Sequence, residues 1–262
     1  MNITFHKYHG AGNDFIIIDN RLLKWQPLKQ QVSFLCDRHF GIGADGLILL
    51  NGSDHYDFGM IYFNSDGNES SMCGNGGRCL TAFAKDIDLI NKNAHFSASD
   101  GEHYSQITGI YNEIMQVRLK MKDVSIIERF GNCIFLDTGS PHYIIFKDSI
   151  DDIDVITEAR TVRYDPVFAE NGTNVDFTVI KEDHLYVRTY ERGVEDETLS
   201  CGTGVTAAAL AAALVNPHNP GNFKVKSRGG ELNVSFEQDI DQFTNIWLEG
   251  PTQLVFKGVI EI

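Results

Sequence analysis

Hydrophobic and polar residues alternate with a period of two over much of the chain, the pattern of strands that turn one face to a core. "MQVRLKM" (Met115–Met121) places Met115, Val117, Leu119 and Met121 on one face, and "ELNVSFE" (Glu231–Glu237) does the same with Leu232, Val234 and Phe236. "FIIIDN", "LILL", "VDFTVI", "HLYVRTY" and "LVFKGVIEI" also read as strands. Two helices stand out. One starts near Gly76 and runs through "RCLTAFAKDIDLI"; the other starts near Gly202 and runs through "VTAAALAAAL". The second is small or apolar on every side, which predicts burial all round. The expected class is α+β, with much sheet around a few central helices.

An internal repeat organises these elements. "CGNGGRCLTAFA" (Cys73–Ala84) resembles "CGTGVTAAALAA" (Cys201–Ala212), 128 residues further on and close to half the chain away. A strand and a polar turn precede each. A fainter pair, "HGAGNDFIII" (His9–Ile18) and "DTGSPHYIIF" (Asp137–Phe146), shows a Gly-containing turn, an aromatic and a β-branched run. Two similar halves facing each other across a cleft are expected. Residues 1–120 with 252–262 would form the half that carries Cys73, and 121–251 the half that carries Cys201.

Composition narrows the function. The chain has 262 residues, 42% of them hydrophobic and 22% charged, as in a soluble protein of one large or two ordinary domains. A formal net charge of −14 argues against a nucleic-acid surface. The acidic run "KDSIDDIDVITEAR" (Lys147–Arg160) reads as a solvated loop or helix face. The start lacks a secretion-type apolar run, and "AAALAAALV" (Ala207–Val215) is too short to span a bilayer, so no membrane partner is expected. Five cysteines, an odd number, suggest free thiols in the cytoplasm.

A cysteine followed by Gly-x-Gly and a helical run sits at a helix N-terminus, where the first N–H groups lack intrahelical partners and the dipole is positive. Such a site favours a thiolate that can act as a base. The bare amides of Gly74, Asn75, Gly202 and Thr203 could hold a carboxylate. Two such helix starts aimed at one cleft suit proton exchange at the carbon beside that carboxylate: one sulfur removes a hydrogen, the other delivers one to the opposite face, and the centre inverts. Cys36 and Cys133 read instead as buried small hydrophobes, and Cys79 as packed inside its helix.

In order along the chain stand "KYHGAGNDFIIID", "GIGADGL", "FNSDGNESSMCGNGGRC", "GSPH", "GTNVDF", "ERGVEDETLSCGTG" and "LEGP". With these motifs the sequence resembles the diaminopimelate epimerase family over nearly its whole length. The resemblance implies two pseudo-symmetric domains, each a curled mixed β-sheet wrapped around a central helix, with the site between them. It implies conversion of L,L- to meso-diaminopimelate in lysine and cell-wall precursor synthesis, without pyridoxal phosphate, metal or other cofactor, by a homodimer. Cys73 and Cys201 would be the acid/base thiols, with His142 supporting the reacting end and Glu191 pairing with an ammonium. Asn13, Asn64, Asn174, Glu191 and Arg192 would line the substrate site, Arg192 gripping the distal carboxylate. The chain departs from the family pattern at Gly46 and Ser140, where amide side chains are common. It also has one extra residue between Arg192 and Cys201.

Other readings fit less well. "GIGADG" (Gly41–Gly46) matches a dinucleotide-binding spacing, but a charged segment precedes it and a strand follows. "HKYH" (His6–His9) has no clustered metal-ligand partners, and the histidines show no zinc spacing. A proline racemase or hydroxyproline epimerase would share two thiols but needs no grip on a second amino-acid end. A thiol redox protein would exchange no hydrogen into an amino acid, and a non-catalytic amino-acid binder would need neither thiol.

Overall fold

A computed structural model describes residues 1–168, 171–216 and 221–262, and the chain divides into two compact units. The first comprises Met1–Leu119 and Gly250–Ile262, the second Lys120–Glu249.

In the first unit β1 (Asn2–Gly10) and β2 (Asn13–Asp19) form a hairpin whose two turn residues, Ala11 and Gly12, both have positive φ. Helix α1 (Lys29–Cys36) leads to β3 (Gly46–Asn51), parallel to β2. Then come β4 (Phe58–Asn64) and β5 (Glu69–Ser70), each antiparallel to the strand before it. Helix α2 (Gly74–Asp86) crosses over to β6 (Asn93–Ala98), parallel to β4, and β7 (Gly101–Tyr111) and β8 (Ile114–Lys120) complete a meander.

The second unit repeats this connectivity after a short β9 (Ile127–Phe130). Strands β10 (Cys133–Asp137) and β11 (Pro141–Phe146) form the hairpin, and α3 (Val155–Arg163) leads to β12 (Asn174–Ile180), parallel to β11. Antiparallel β13 (Leu185–Glu191) and β14 (Asp196–Thr198) precede α4 (Gly202–Val215). The crossover ends in β15 (Asn222–Ser227), parallel to β13, followed by β16 (Gly230–Asp239) and β17 (Gln242–Glu261). The start of β17 pairs with β16 and its end with β1.

Burial explains the layering. In the parallel strands β2 and β3 both faces are covered, so they read as nearly continuous apolar runs. Ile16, Ile18, Leu47 and Leu49 pack with Val32, Leu35 and Cys36 of α1. Helix α2 packs on β1, β2, β3 and β7, and every residue from Gly74 to Ala84 is buried. Helix α4 packs on β10 to β13, β15 and β16, buried from Gly202 to Ala213 except Thr203. The all-round apolar composition of α4 is thus matched by all-round packing.

Helix α1 lies where the sequence pattern marked none, and α3 lies in the acidic run that reads as a solvated loop or helix face. Helix α1 has only eight residues, with Val32, Leu35 and Cys36 buried, too short a run for its period to stand out. Helix α3 falls in the acidic run; Val155 and Ala159 are buried on one side, and Asp154 caps it by accepting from the Thr157 amide at 3.1 Å. Helix α2 starts two residues before Gly76, at Gly74. Cys36 and Cys79 are buried, whereas Cys133 on β10 is only partly so.

Candidate active site

In the first unit Cys73 is the N-cap of α2, in an extended conformation (φ −93°, ψ 129°), and its carbonyl accepts the first helical bond from Gly77 N at 2.8 Å. The amides ahead of Gly77 therefore have no partner inside the helix. An oriented chain of side-chain amides reaches the thiol at Asn13. Buried Arg78 donates through Nη2 to Asn75 Oδ1 (2.8 Å), and Asn75 Nδ2 donates to Asn13 Oδ1 (3.2 Å). Asn13 Nδ2 donates to Asp45 Oδ2 (2.6 Å), and Cys73 Sγ lies 3.6 Å from Asn13 Oδ1. Ionic groups fix both ends: a guanidinium can only donate and a carboxylate can only accept. That polarity turns an acceptor oxygen toward Cys73. Asp45 is tied to Arg38 (2.8 Å), which also holds Asp14 (2.7 Å), and Asp14 pairs with Lys7 (2.8 Å). Burial alone would raise the Asp14 carboxyl, but Arg38 and Lys7 outweigh it and hold it at about 2.

Arg78 is fully buried, yet among the described residues its acceptors are neutral, Asn75 Oδ1 and the Gly74 carbonyl, the latter at 3.4 Å, and its Nε has no partner there. Burial lowers its pKa from the ordinary arginine value.

In the second unit Cys201 is the N-cap of α4 (φ −109°, ψ 113°), and its carbonyl accepts from Val205 N at 2.9 Å. Gly204 is required here: a Cβ would lie 2.4 Å from Asp176 Oδ1 and 3.1 Å from His142 Cε1. The close approach sets the helix start against three side chains, those of His142, Asp176 and Thr189. His142 Nδ1 is 2.7 Å from Asp176 Oδ2, and both residues are fully buried. His142 Nε2 is 2.9 Å from Thr203 Oγ1, Thr203 Oγ1 is 3.4 Å from Cys201 Sγ, and Thr189 Oγ1 donates to Asp176 Oδ1 at 2.6 Å. The helix terminus does not make Cys201 acidic, contrary to the expectation from sequence. Burial pushes its thiol well above the ordinary value, the carboxylates of Glu191 and Asp176 push the same way, and the Thr203 hydroxyl and Gly204 amide are outweighed.

The remaining candidates fall into place within their units. Asn174 is buried, with both ends of its amide engaged: Nδ2 donates to Ser140 Oγ (2.8 Å) and Pro141 O (2.7 Å), and Oδ1 accepts from Arg192 N (2.8 Å). It clamps the turn before His142 to the turn after Glu191. Ser140, one of the departures from the family pattern, is thus part of this clamp. Arg192 Nη1 reaches the Asn171 carbonyl at 3.2 Å. Asn64 ends β4 at an exposed turn closed by Gly67 N bonding to Asn64 O at 2.9 Å. At Gly46 a Cβ would lie 2.6 Å from Phe63 O, so no larger side chain fits this backbone. "GIGADG" is the irregular link between α1 and β3. Among the described residues no group of three His, Cys, Asp or Glu could hold a metal.

Sequence reasoning missed Asp176, Asp45, Arg78 and Glu195. For Asp176 a signal existed: in β12 the apolar Val175, Phe177 and Val179 join the core against α3, so Asn174, Asp176 and Thr178 alternate onto the other face. Three polar residues on one face of a buried strand mark a site. Glu195 shapes the turn after Arg192. It sits at positive φ (60°) and accepts from Arg163 Nη2 (2.7 Å), Gly193 N (3.0 Å), Tyr164 (3.0 Å) and Tyr190 (3.1 Å). Burial would raise its carboxyl, but these donors bring it from 4.5 to about 2. Its stabilisation is therefore complete above about pH 4.5 and lost as pH falls through about 2. Allowing for partial exposure, this amounts to about 1–2 kcal/mol. Glu195→Gln is expected to lower the melting temperature by several degrees at pH 7, and the gap to wild type to narrow between pH 5 and pH 2.5. A gap independent of pH would contradict the ionic role.

The "Diaminopimelate epimerase" family model matches residues 5–126 and 134–255. The diaminopimelate epimerase of Flavobacterium psychrophilum is 48% identical over 262 residues, covering 98% of this chain and 100% of that protein. That of Chlorobaculum tepidum is 44% identical over 263 residues, covering 97% and 99%. In fold, the chain is similar to the crystal structure of a Bacillus anthracis phenazine biosynthesis protein of the PhzF family (TM-score 0.79, 14% identity, all of both chains). With a cysteine-capped helix in each unit and sequence matches across both, the chain belongs to the diaminopimelate epimerase family.

Proposed function

We propose that this protein interconverts L,L- and meso-2,6-diaminopimelate through two acid/base thiols, without pyridoxal phosphate or metal, in lysine and cell-wall precursor synthesis. It acts as a cytoplasmic homodimer, with Cys73 carried by residues 1–120 and 252–262 and Cys201 by residues 121–251. The carrying observation is the repeated helix start: Cys73 and Cys201 each cap a buried helix whose first amides lack intrahelical partners.

The chemistry follows from these groups. The amides of Gly74, Asn75, Gly202 and Thr203 receive the carboxylate beside the reacting carbon, and charge that develops there in the transition state falls on oriented N–H dipoles. Cys73 and Cys201 act on opposite faces of that carbon, one as base and the other as acid. Cys201, which burial holds as the thiol, starts as the acid for one diastereomer and must start as the base for the other. His142 supports the reacting end and Glu191 pairs with an ammonium. Arg192 takes the distal carboxylate, while Asn13, Asn64 and Asn174 fix the orientation of the non-reacting centre.

The reading is tested by incubating the purified protein with L,L-diaminopimelate in chelator-treated buffer and separating the diastereomers chromatographically. Accumulation of the meso form to an equilibrium mixture is expected. Recovery of L,L-diaminopimelate alone, after a concentration of protein sufficient for many turnovers, would exclude the activity.

A further inference from the structure

Burial, Glu191 and Asp176 all oppose loss of the Cys201 proton, yet a reversible two-thiol epimerase needs Cys201 as a base for one of its two substrates. The second unit holds an acceptor for that proton two hydrogen bonds from the sulfur. Asp176, as a carboxylate, can only accept, so His142 carries its hydrogen on Nδ1 and presents a lone pair at Nε2. The group facing Nε2 is the Thr203 hydroxyl at 2.9 Å, which must then donate to the ring and accept from Cys201 Sγ at 3.4 Å. Thr189 holds the other Asp176 oxygen at 2.6 Å. Asn174 Nδ2, 3.5 Å from Nε2, is already committed to Ser140 and Pro141. Every hydrogen in the array therefore has one direction, from sulfur through hydroxyl to imidazole.

We propose that Cys201, Thr203, His142 and Asp176 form a proton relay, in which Thr203 passes the Cys201 proton to His142 and Asp176 is the positioning residue that fixes the receptive tautomer. The S–H bond breaks as its proton bonds to Thr203 Oγ1, while the Thr203 O–H bond breaks as its own proton bonds to His142 Nε2. The products are a thiolate that accepts a hydrogen bond from the threonine and an imidazolium that Asp176 neutralises, so net charge is unchanged. The reverse transfer restores the thiol. The relay rests on the reading of Cys201 as an acid/base group, and it explains why a histidine without solvent access sits beside a buried carboxylate behind the helix start.

The test needs no substrate, so its outcome is separate from whether diaminopimelate is the compound turned over. In the full-length protein with 15N-labelled histidine, long-range proton–nitrogen NMR is expected to show His142 with its hydrogen on Nδ1, and a hydrogen on Nε2 alone overturns the relay. Alkylation of Cys201 by iodoacetamide at pH 7.5, followed by peptide mass spectrometry, is expected to slow at least tenfold in Thr203→Val and Asp176→Asn. Thr203→Ser, which keeps the hydroxyl, is expected to stay within threefold of wild type. Unchanged alkylation in folded Thr203→Val overturns the relay, as does slowing in Glu191→Gln without slowing in Asp176→Asn. Should the substituted chains fail to fold, the wild-type tautomer decides.

Discussion

Cys73→Ala and Cys201→Ala are each expected to abolish epimerisation, lowering kcat by about 10³-fold or more while leaving the fold and much of the substrate affinity in place. The size follows from the chemistry. Positioned proton transfer contributes about 10²–10⁴-fold in enzymes, and in the proposed two-thiol mechanism each inversion needs both a removal and a delivery, so losing either thiol breaks the cycle. Retention of the fold follows from the structure. The first helical bonds run to the Cys73 and Cys201 backbone carbonyls, so alanine leaves α2 and α4 anchored by the same backbone bonds. Retention of binding follows from the proposed function, in which backbone amides receive the carboxylate. Chromatographic assay for turnover and calorimetry for affinity check the two halves. Either variant retaining more than a tenth of wild-type kcat contradicts the assignment.

Arg78→Met is expected to separate stability from activity. A buried guanidinium whose acceptors are all neutral is a poor contributor to stability, and apolar replacement of buried charges is often neutral or stabilising by about 1–4 kcal/mol. Against this, the Arg78–Asn75 hydrogen bond is lost, at a cost of about 1–3 kcal/mol. The two nearly cancel, so the melting temperature should stay within several degrees of wild type. Activity should not stay. Without Arg78 the Asn75 amide loses its fixed polarity, and Asn13, which depends on it, no longer presents a defined face to Cys73. A fall in kcat/KM of about 10²-fold is expected, the cost of a misplaced site. Unfolding of the variant, or activity equal to wild type, contradicts this role for Arg78.

The strands were legible because the core needs alternation wherever one face meets water. Helices α2 and α4 were legible because each begins on a cysteine-glycine phrase and runs on into small and apolar residues. Helix α1 was not, and α3 only as one alternative to a loop, since each buries only two or three side chains over about two turns. The repeat exposed the two cysteines but hid how differently each is served. Position for position, 128 residues apart, Asn75 corresponds to Thr203, Arg78 to Thr206 and Asp14 to His142. Thr206 takes the Gly202 carbonyl at 2.9 Å, as Arg78 takes that of Gly74. One unit thus backs its thiol with amides tethered by charge, the other with a threonine hydroxyl backed by an imidazole and a carboxylate. Asp176 and Glu195 escaped sequence reasoning because their roles lie in long-range contacts, to a histidine on β11 and an arginine on α3.

The most direct measurement of the central claim is the fate of hydrogen during the first turnovers in heavy water. With L,L-diaminopimelate as the starting isomer, newly formed meso product should carry one deuterium at the inverted carbon. The L,L isomer remaining at that time should hold almost none. Two groups handling opposite faces give that asymmetry; deuterium entering both isomers equally from the outset, or a product formed without any, would contradict it.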